Sequence, residues 1–257
     1  MTIARWVPHN RNSGPVRAQV MAHRGASAAE RENTTVAFTR ARELNSDGVE
    51  LDVRLCASGE MIVHHNPTLA NGKVLSTLNI ADIPDHIPTL AEALDACAGM
   101  WVNIEIKNDP SEPDFDPQDK LAILVVDYLR TRGAPDQWLI SSFRRETVDS
   151  VHRLWPELPT AWLDMGVADD AADALAKDLL NSGHQAYHPY VKTLTRSVVD
   201  TMHQNNVAVN TWTCDDPARM AELVTWGIDG ICTNVPDVAR GVIANAKKVL
   251  ELDRWSH

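Results

Sequence analysis

Short runs in which apolar residues alternate with polar ones recur along this chain, and longer stretches with apolar residues three and four apart lie between them. The clearest run is Gly48-Val49-Glu50-Leu51-Asp52-Val53, where every second residue is apolar or β-branched. That period of two predicts a strand with Glu50 and Asp52 on one face. Strands are predicted at 19–23, 48–54 with a hairpin-like partner at 61–65, 101–106, 138–142, 160–164, 186–190, 207–212 and 230–233. Helices are predicted between them at 34–44, 90–97, 117–132, 146–154, 168–181, 195–205, 217–225 and 236–250. Asp116-Pro117 and Asp216-Pro217 each read as a helix start, an N-cap acid followed by proline in the first turn. Eight strand units with crossover helices predict an α/β fold, a single (β/α)8 TIM barrel spanning 1–257. The polar stretch 67–88 breaks the rhythm and is expected to be a small insertion over the barrel mouth.

Composition narrows the reading. With 44% apolar and 23% charged residues in 257, the chain is that of an ordinary globular domain. Its net charge of −11 argues against nucleic-acid or anionic-membrane binding, so any phosphate site must be locally cationic. No apolar run approaches a membrane span and residues 1–19 lack an apolar leader segment, so a soluble cytoplasmic protein without stable membrane insertion is expected. Cys56, Cys97, Cys214 and Cys232 are scattered and are expected to be reduced thiols. Trp6, Trp155 and Trp255 are candidates for a self-contact, although each residue type more often bridges surface and core, and the oligomeric state stays open.

In a barrel, chemistry gathers where strands end. His23-Arg24 closes the first strand, Asp52 and Arg54 the second, His65 the hairpin, and Glu105 and Lys107 the third, where Asn103-Ile104-Glu105-Ile106-Lys107 repeats the alternation. Glu50, Asp52 and Glu105 then form an all-oxygen set suited to a hard divalent cation, Mg2+ or Ca2+. The competing reading is a salt-bridge network with Arg24, Arg54 and Lys107. Two histidines beside three acids at strand ends favour the catalytic reading, with His23 and His65 as general acid and base. Arg24 offers a planar fork for phosphate and Lys107 a point charge. There is no G-x-S-x-G, P-loop or H-E-x-x-H.

These residues sit in a set of spaced motifs. They include Ala22-His23-Arg24-Gly25-Ala26-Ser27, Glu32-Asn33-Thr34, Val63-His64-His65-Asn66-Pro67, Glu105-Ile106-Lys107, Ser141-Ser142-Phe143, Thr211-Trp212-Thr213 and Gly227-Ile228-Asp229-Gly230-Ile231. Through them the chain resembles the glycerophosphodiester phosphodiesterases along nearly its whole length. The resemblance implies a (β/α)8 barrel and metal-dependent hydrolysis of small-molecule glycerophosphodiesters to glycerol 3-phosphate and an alcohol. It puts the family's metal ligands on Glu50, Asp52 and Glu105, its catalytic histidines on His23 and His65, and its phosphate-facing cations on Arg24 and Lys107. Trp212 is read as an apolar wall for the glycerol half or as a cap on the barrel core, and Glu32 as a support behind the site. Three departures stand out: Asn66 replaces the acid that usually follows the second histidine, Arg31 replaces a proline, and Ala57-Ser58-Gly59 replaces an acidic turn. Asn66 motivates one alternative, a weakly active or inactive phosphodiester-binding barrel. A second alternative is a phosphodiesterase acting on lysophospholipids.

Overall fold

Each inner strand of a closed barrel must bury both faces, and here the outward face is aliphatic while the inward face carries the polar residues. The computed structural model describes Trp6 and residues 18–254. Its elements run β1 (Gln19–His23), α1 (Thr35–Glu43), β2 (Gly48–Leu55), β3 (Met61–Val63), α2 (Leu90–Ala96), β4 (Trp101–Ile106), α3 (Lys120–Arg132) and β5 (Trp138–Ser142). They continue with α4 (Arg145–Leu154), β6 (Thr160–Asp164), α5 (Ala172–Asn181), β7 (Ala186–Pro189), α6 (Arg196–Gln204), β8 (Ala208–Thr211), α7 (Pro217–Trp226), β9 (Gly230–Thr233) and α8 (Pro236–Arg254). All strands except β3 pair in parallel, and β1 closes the ring by pairing with both β2 and β9. β3 lies antiparallel on the end of β2, outside the ring. This is the (β/α)8 barrel that the alternation predicts.

Outward residues such as Val49, Leu51, Val53, Ile104 and Ile106 pack under α1 to α4, and Val20, Tyr187, Val209 and Ile231 pack under α5 to α8. A third cluster fills the barrel axis at the strand starts, where Trp101 of β4 meets Leu139, Ala161, Ala186 and Ala208. A large ring set against small side chains from the facing strands is how such a core fills its space. Gly48 is required beside it, because a Cβ there would lie 2.4 Å from the Trp101 ring.

Trp6 corrects an expectation. It is 4% exposed and joins this inner cluster, so it is no surface for self-contact. Trp155 is half-buried, with the Arg130 guanidinium 5.7 Å from its ring centre, and Trp255 lies outside the described residues.

Local signals explain the element starts. Thr34 caps α1 by accepting from the Ala37 N–H at 3.2 Å, Thr89 and Glu92 close a capping box on α2, and Asp216 caps α7 ahead of Pro217. The Asp116-Pro117 start fails, and α3 begins at Lys120. Asp116 takes the N–H groups of Gln118 and Lys120 instead, at 2.9 and 2.8 Å. Asp119, with φ of 52°, turns its carboxylate into a buried hub where Asn108, Arg144, Thr147 and Ser150 all donate to it. Residues 67–88 carry two single 3-10 turns and bury Leu75, Leu78, Ile83 and Ile87 with Cys56 and Ile62 of the β2–β3 hairpin. All four cysteines are free and buried. Among the described residues, no helix is long and apolar enough to cross a membrane.

Candidate active site

Parallel pairing of β2 with β4 sets Glu50 beside Asn103 and Asp52 beside Glu105. The period of two therefore points all three acids inward, where they are buried, and one oxygen from each lies within 4.8 Å of the others. Glu50 Oε1 receives no hydrogen bond, and Asp52 Oδ1 has only an ion-pair contact with Lys107 Nζ at 3.4 Å. Buried carboxylate oxygens without donors are costly, and a hard divalent cation satisfies them; the donor set fits such an ion. Burial pushes the Glu50 carboxyl well above the usual range, and the charges of Asp52 and Glu105 add to the push. Glu105 is also raised by burial, although Lys107 Nζ donates to it at 2.8 Å. Burial acts on Asp52 in the same sense, but Lys107 and Arg24 outweigh it and hold this carboxyl down to about 2.

Arg24 is placed by backbone that only a tight turn allows. Arg24 has φ of 56° and its N–H donates to Glu50 Oε2 at 2.9 Å. Gly25 follows at φ of 84°, with Ala37 too close for any Cβ. The Arg24 guanidinium lies 3.2 Å from Asp52 Oδ2 and donates to Glu32 at 3.0 Å, so Glu32 braces Arg24 rather than joining the acids. Asn33 donates to Asp52 Oδ2 at 2.8 Å. Arg54, by contrast, stands apart from the network that the salt-bridge reading anticipated. Its ion pairs go to Glu112 and Asp114.

His23 and His65 each use Nδ1 on an asparagine. The Asn234 amide is fixed because its Nδ2 donates to Asp215 at 2.7 Å, which leaves Oδ1 to accept from His23 Nδ1 at 2.7 Å. A proton on Nδ1 leaves Nε2 as the basic atom, 4.0 Å from Glu50 Oε2. His65 Nδ1 meets Asn66 Oδ1 at 2.8 Å. Burial lowers the pKa of both rings, helped at His23 by the Arg24 charge.

His23, Arg24, Glu50, His65, Glu105 and Lys107 line one open pocket at the strand ends. One half, from β1, β2 and β4, is charged. The other is apolar, made by Phe143, Leu163 and Trp212. Trp212 donates to the His188 carbonyl at 2.9 Å and takes the Phe143 ring edge-on at 5.3 Å, so it caps the inner cluster and lines the cavity at once. Below lies a polar layer in which Asn103 donates to Ser141 and Asn210 to His188 Nε2. Burial alone drives the His188 pKa down to about 3. The unfolded chain takes this proton near pH 6.5 and the folded protein refuses it, so stability falls as pH drops through that window, by about 1.4 kcal/mol per unit. Chemical denaturation of wild type and His188→Gln from pH 7 to 4 should show the shallower loss in the variant; parallel curves would refute the assignment.

Sequence reasoning missed Asn234 and Asp215 as the holders of His23, and Asn33 as a donor to Asp52. The position of Asn234, immediately after the last strand, was the one available signal.

Fold and site together define a (β/α)8 enzyme whose charged and titratable groups converge at the C-terminal mouth. The sequence profile described as the glycerophosphoryl diester phosphodiesterase family matches residues 23–238. A glycerophosphodiester phosphodiesterase of Bacillus subtilis (strain 168) is 28% identical, over 87% of this chain and 86% of its own length. One from Caldanaerobacter subterraneus subsp. tengcongensis is 29% identical, over 85% and 94%. Among solved structures, an Oleispira antarctica phosphodiesterase in complex with the product sn-glycerol-3-phosphate superposes with a TM-score of 0.79 at 22% identity, covering 88% of this chain and 96% of that one. A glycerophosphodiester phosphodiesterase from Parabacteroides distasonis gives 0.79 at 22%, covering 90% and 99%; both likenesses bear on the fold. The chain belongs to the glycerophosphoryl diester phosphodiesterase family and is a phosphoric diester hydrolase.

Proposed function

We propose that the protein hydrolyses glycerophosphodiesters to glycerol 3-phosphate and an alcohol, by two-histidine acid–base chemistry beside a divalent-cation site. The observation that carries this reading is the meeting, in one cavity, of two imidazoles with Glu50 and Glu105, where the buried Glu50 Oε1 has no donor. Glu50, Asp52 and Glu105 would hold Mg2+ or Ca2+, which when bound supplies neutralisation of the diester's negative charge. Arg24 and Lys107 orient the non-bridging oxygens. One histidine accepts a proton at Nε2 from the attacking hydroxyl, and the other donates one to the departing alkoxide. The attacking group is water or the glycerol hydroxyl next to the phosphate, and the second route gains from proximity and passes through a cyclic phosphate. Trp212 walls the glycerol half. Asn66 keeps the His65 ring oriented at 2.8 Å, which favours turnover over a binding-only barrel. The same reading places the protein in cytoplasmic lipid and glycerol metabolism, as a single domain with 67–88 inserted over the mouth.

A substrate panel tests it. Glycerophosphocholine, glycerophosphoethanolamine, glycerophosphoglycerol and lysophosphatidylcholine are incubated with Mg2+, Ca2+ or EDTA, and products are followed by phosphorus NMR. Release of glycerol 3-phosphate that EDTA stops is the expected outcome, and a transient cyclic phosphate marks the intramolecular route. No turnover of any glycerophosphodiester with either ion would sink the proposal, and turnover of the lysophospholipid alone would replace it with the lysophospholipid reading.

A further inference from the structure

Arg54 is a strand-end cation that the proposed chemistry leaves unused. It follows Asp52 by two on the inward face of β2, at the point where β2 outruns the ring and pairs with β3. Its side chain has no exposed surface. Nε and Nη2 both donate to the backbone carbonyl of His65, at 2.9 and 2.6 Å. On the other edge, Nη1 donates to Asp114 at 2.6 Å and Nη2 lies 2.9 Å from Glu112, both in the segment after β4. A buried guanidinium needs its charge matched and its donors used, and these two acids with one carbonyl do both. With every nitrogen engaged and none exposed, Arg54 has nothing left for a substrate.

What it holds is the residue proposed as a catalytic imidazole. The His65 ring is steered from one side by Asn66 at Nδ1, and its backbone is pinned from the other by the Arg54 fork. β3 ends at Val63, and the last backbone bond to β2 is from the His64 N–H to the Asp52 carbonyl at 3.0 Å, so the His65 carbonyl itself is held by Arg54. We propose that Arg54, anchored by Asp114 and Glu112, is a positioning residue that sets His65 against the cavity and so couples the segment after β4 to the catalytic step. This rests on the reading of His65 as an acid–base group. A planar fork is essential: the carbonyl and the two acids lie on different edges of one guanidinium, which a lysine ammonium cannot span.

The test is a double-mutant cycle on purified, folded protein, with kcat and KM measured on glycerophosphocholine. Arg54→Met should lower kcat by about 10- to 100-fold, the cost of a displacement of roughly 1 Å, while KM stays within about twofold. Arg54→Lys, which keeps the charge but not the fork, should lower kcat nearly as far, and full activity in it would overturn the need for the fork. In a His65→Ala background, adding Arg54→Met should cost less than about twofold, since groups that act as a unit are not additive. Asp114→Asn runs through the same cycle and carries the test if Arg54→Met does not fold. Additive losses, or a loss confined to KM, would overturn the proposal while leaving the catalytic reading of His65 intact. Full activity in His65→Ala would overturn both.

Discussion

Glu50→Gln should abolish diester hydrolysis, by about 10³-fold or more, without weakening the fold. The loss follows if the cation site supplies several kcal/mol of charge stabilisation. The stability follows from the site itself. Glu50 is buried beside two other acids and its carboxyl is raised well above the usual range, so its charged form costs stability as pH climbs through that range. A glutamine keeps an oxygen for the Arg24 N–H and removes the repulsion. Thermal unfolding gives a readout independent of activity: Mg2+ or Ca2+ at about 100 times its Kd should stabilise wild type by about 2.7 kcal/mol and leave the variant nearly unmoved. An equal cation-induced shift in both proteins would show that the ion binds elsewhere.

His23→Ala should separate catalysis from cation binding. Proton transfer by a positioned imidazole contributes about 10²–10⁴-fold, and kcat should fall in that range. The ring lies 4.0 Å from Glu50 Oε2 and is not among the acids, so the cation-induced thermal shift should survive. Wild-type turnover with a dead His23→Ala also disposes of a barrel that only binds phosphodiesters. Unchanged kcat in this variant would remove His23 from the mechanism, and loss of the thermal shift would move it into the ion site.

The parts of this architecture that were legible share one property, that their signal is local. Gly48 to Val53 carries its strand, its facing and two of its acids within one alternating run, and Asn103 to Lys107 repeats the pattern, so barrel and acid cluster both follow from a period of two. The resemblance through spaced motifs supplied the substrate class, which no spacing reveals. What stayed hidden depends on partners far apart in the chain. Asn234 meets His23 across 211 positions, because ring closure puts β9 beside β1. The start of α3 was misread for a related reason. Asp119 serves a buried hub drawn from α4 and the loop before α3, and that tertiary demand overrides the Asp116-Pro117 signal. Trp6 lies far from Trp101 in sequence, and nothing near it announces that it belongs to the barrel axis.

Ring closure also sets when the enzyme comes into being. His23 is on β1, which is synthesised before the other strands of the ring, while Asn234 and its anchor Asp215 belong to the last turn of the ring. A nascent chain that has built the acids, both histidines and Arg54 still holds His23 without its partner and β1 with one edge unpaired. Synthesis must run past β9 before the His23 ring is oriented, so the proposed acid–base pair is complete only when the barrel is.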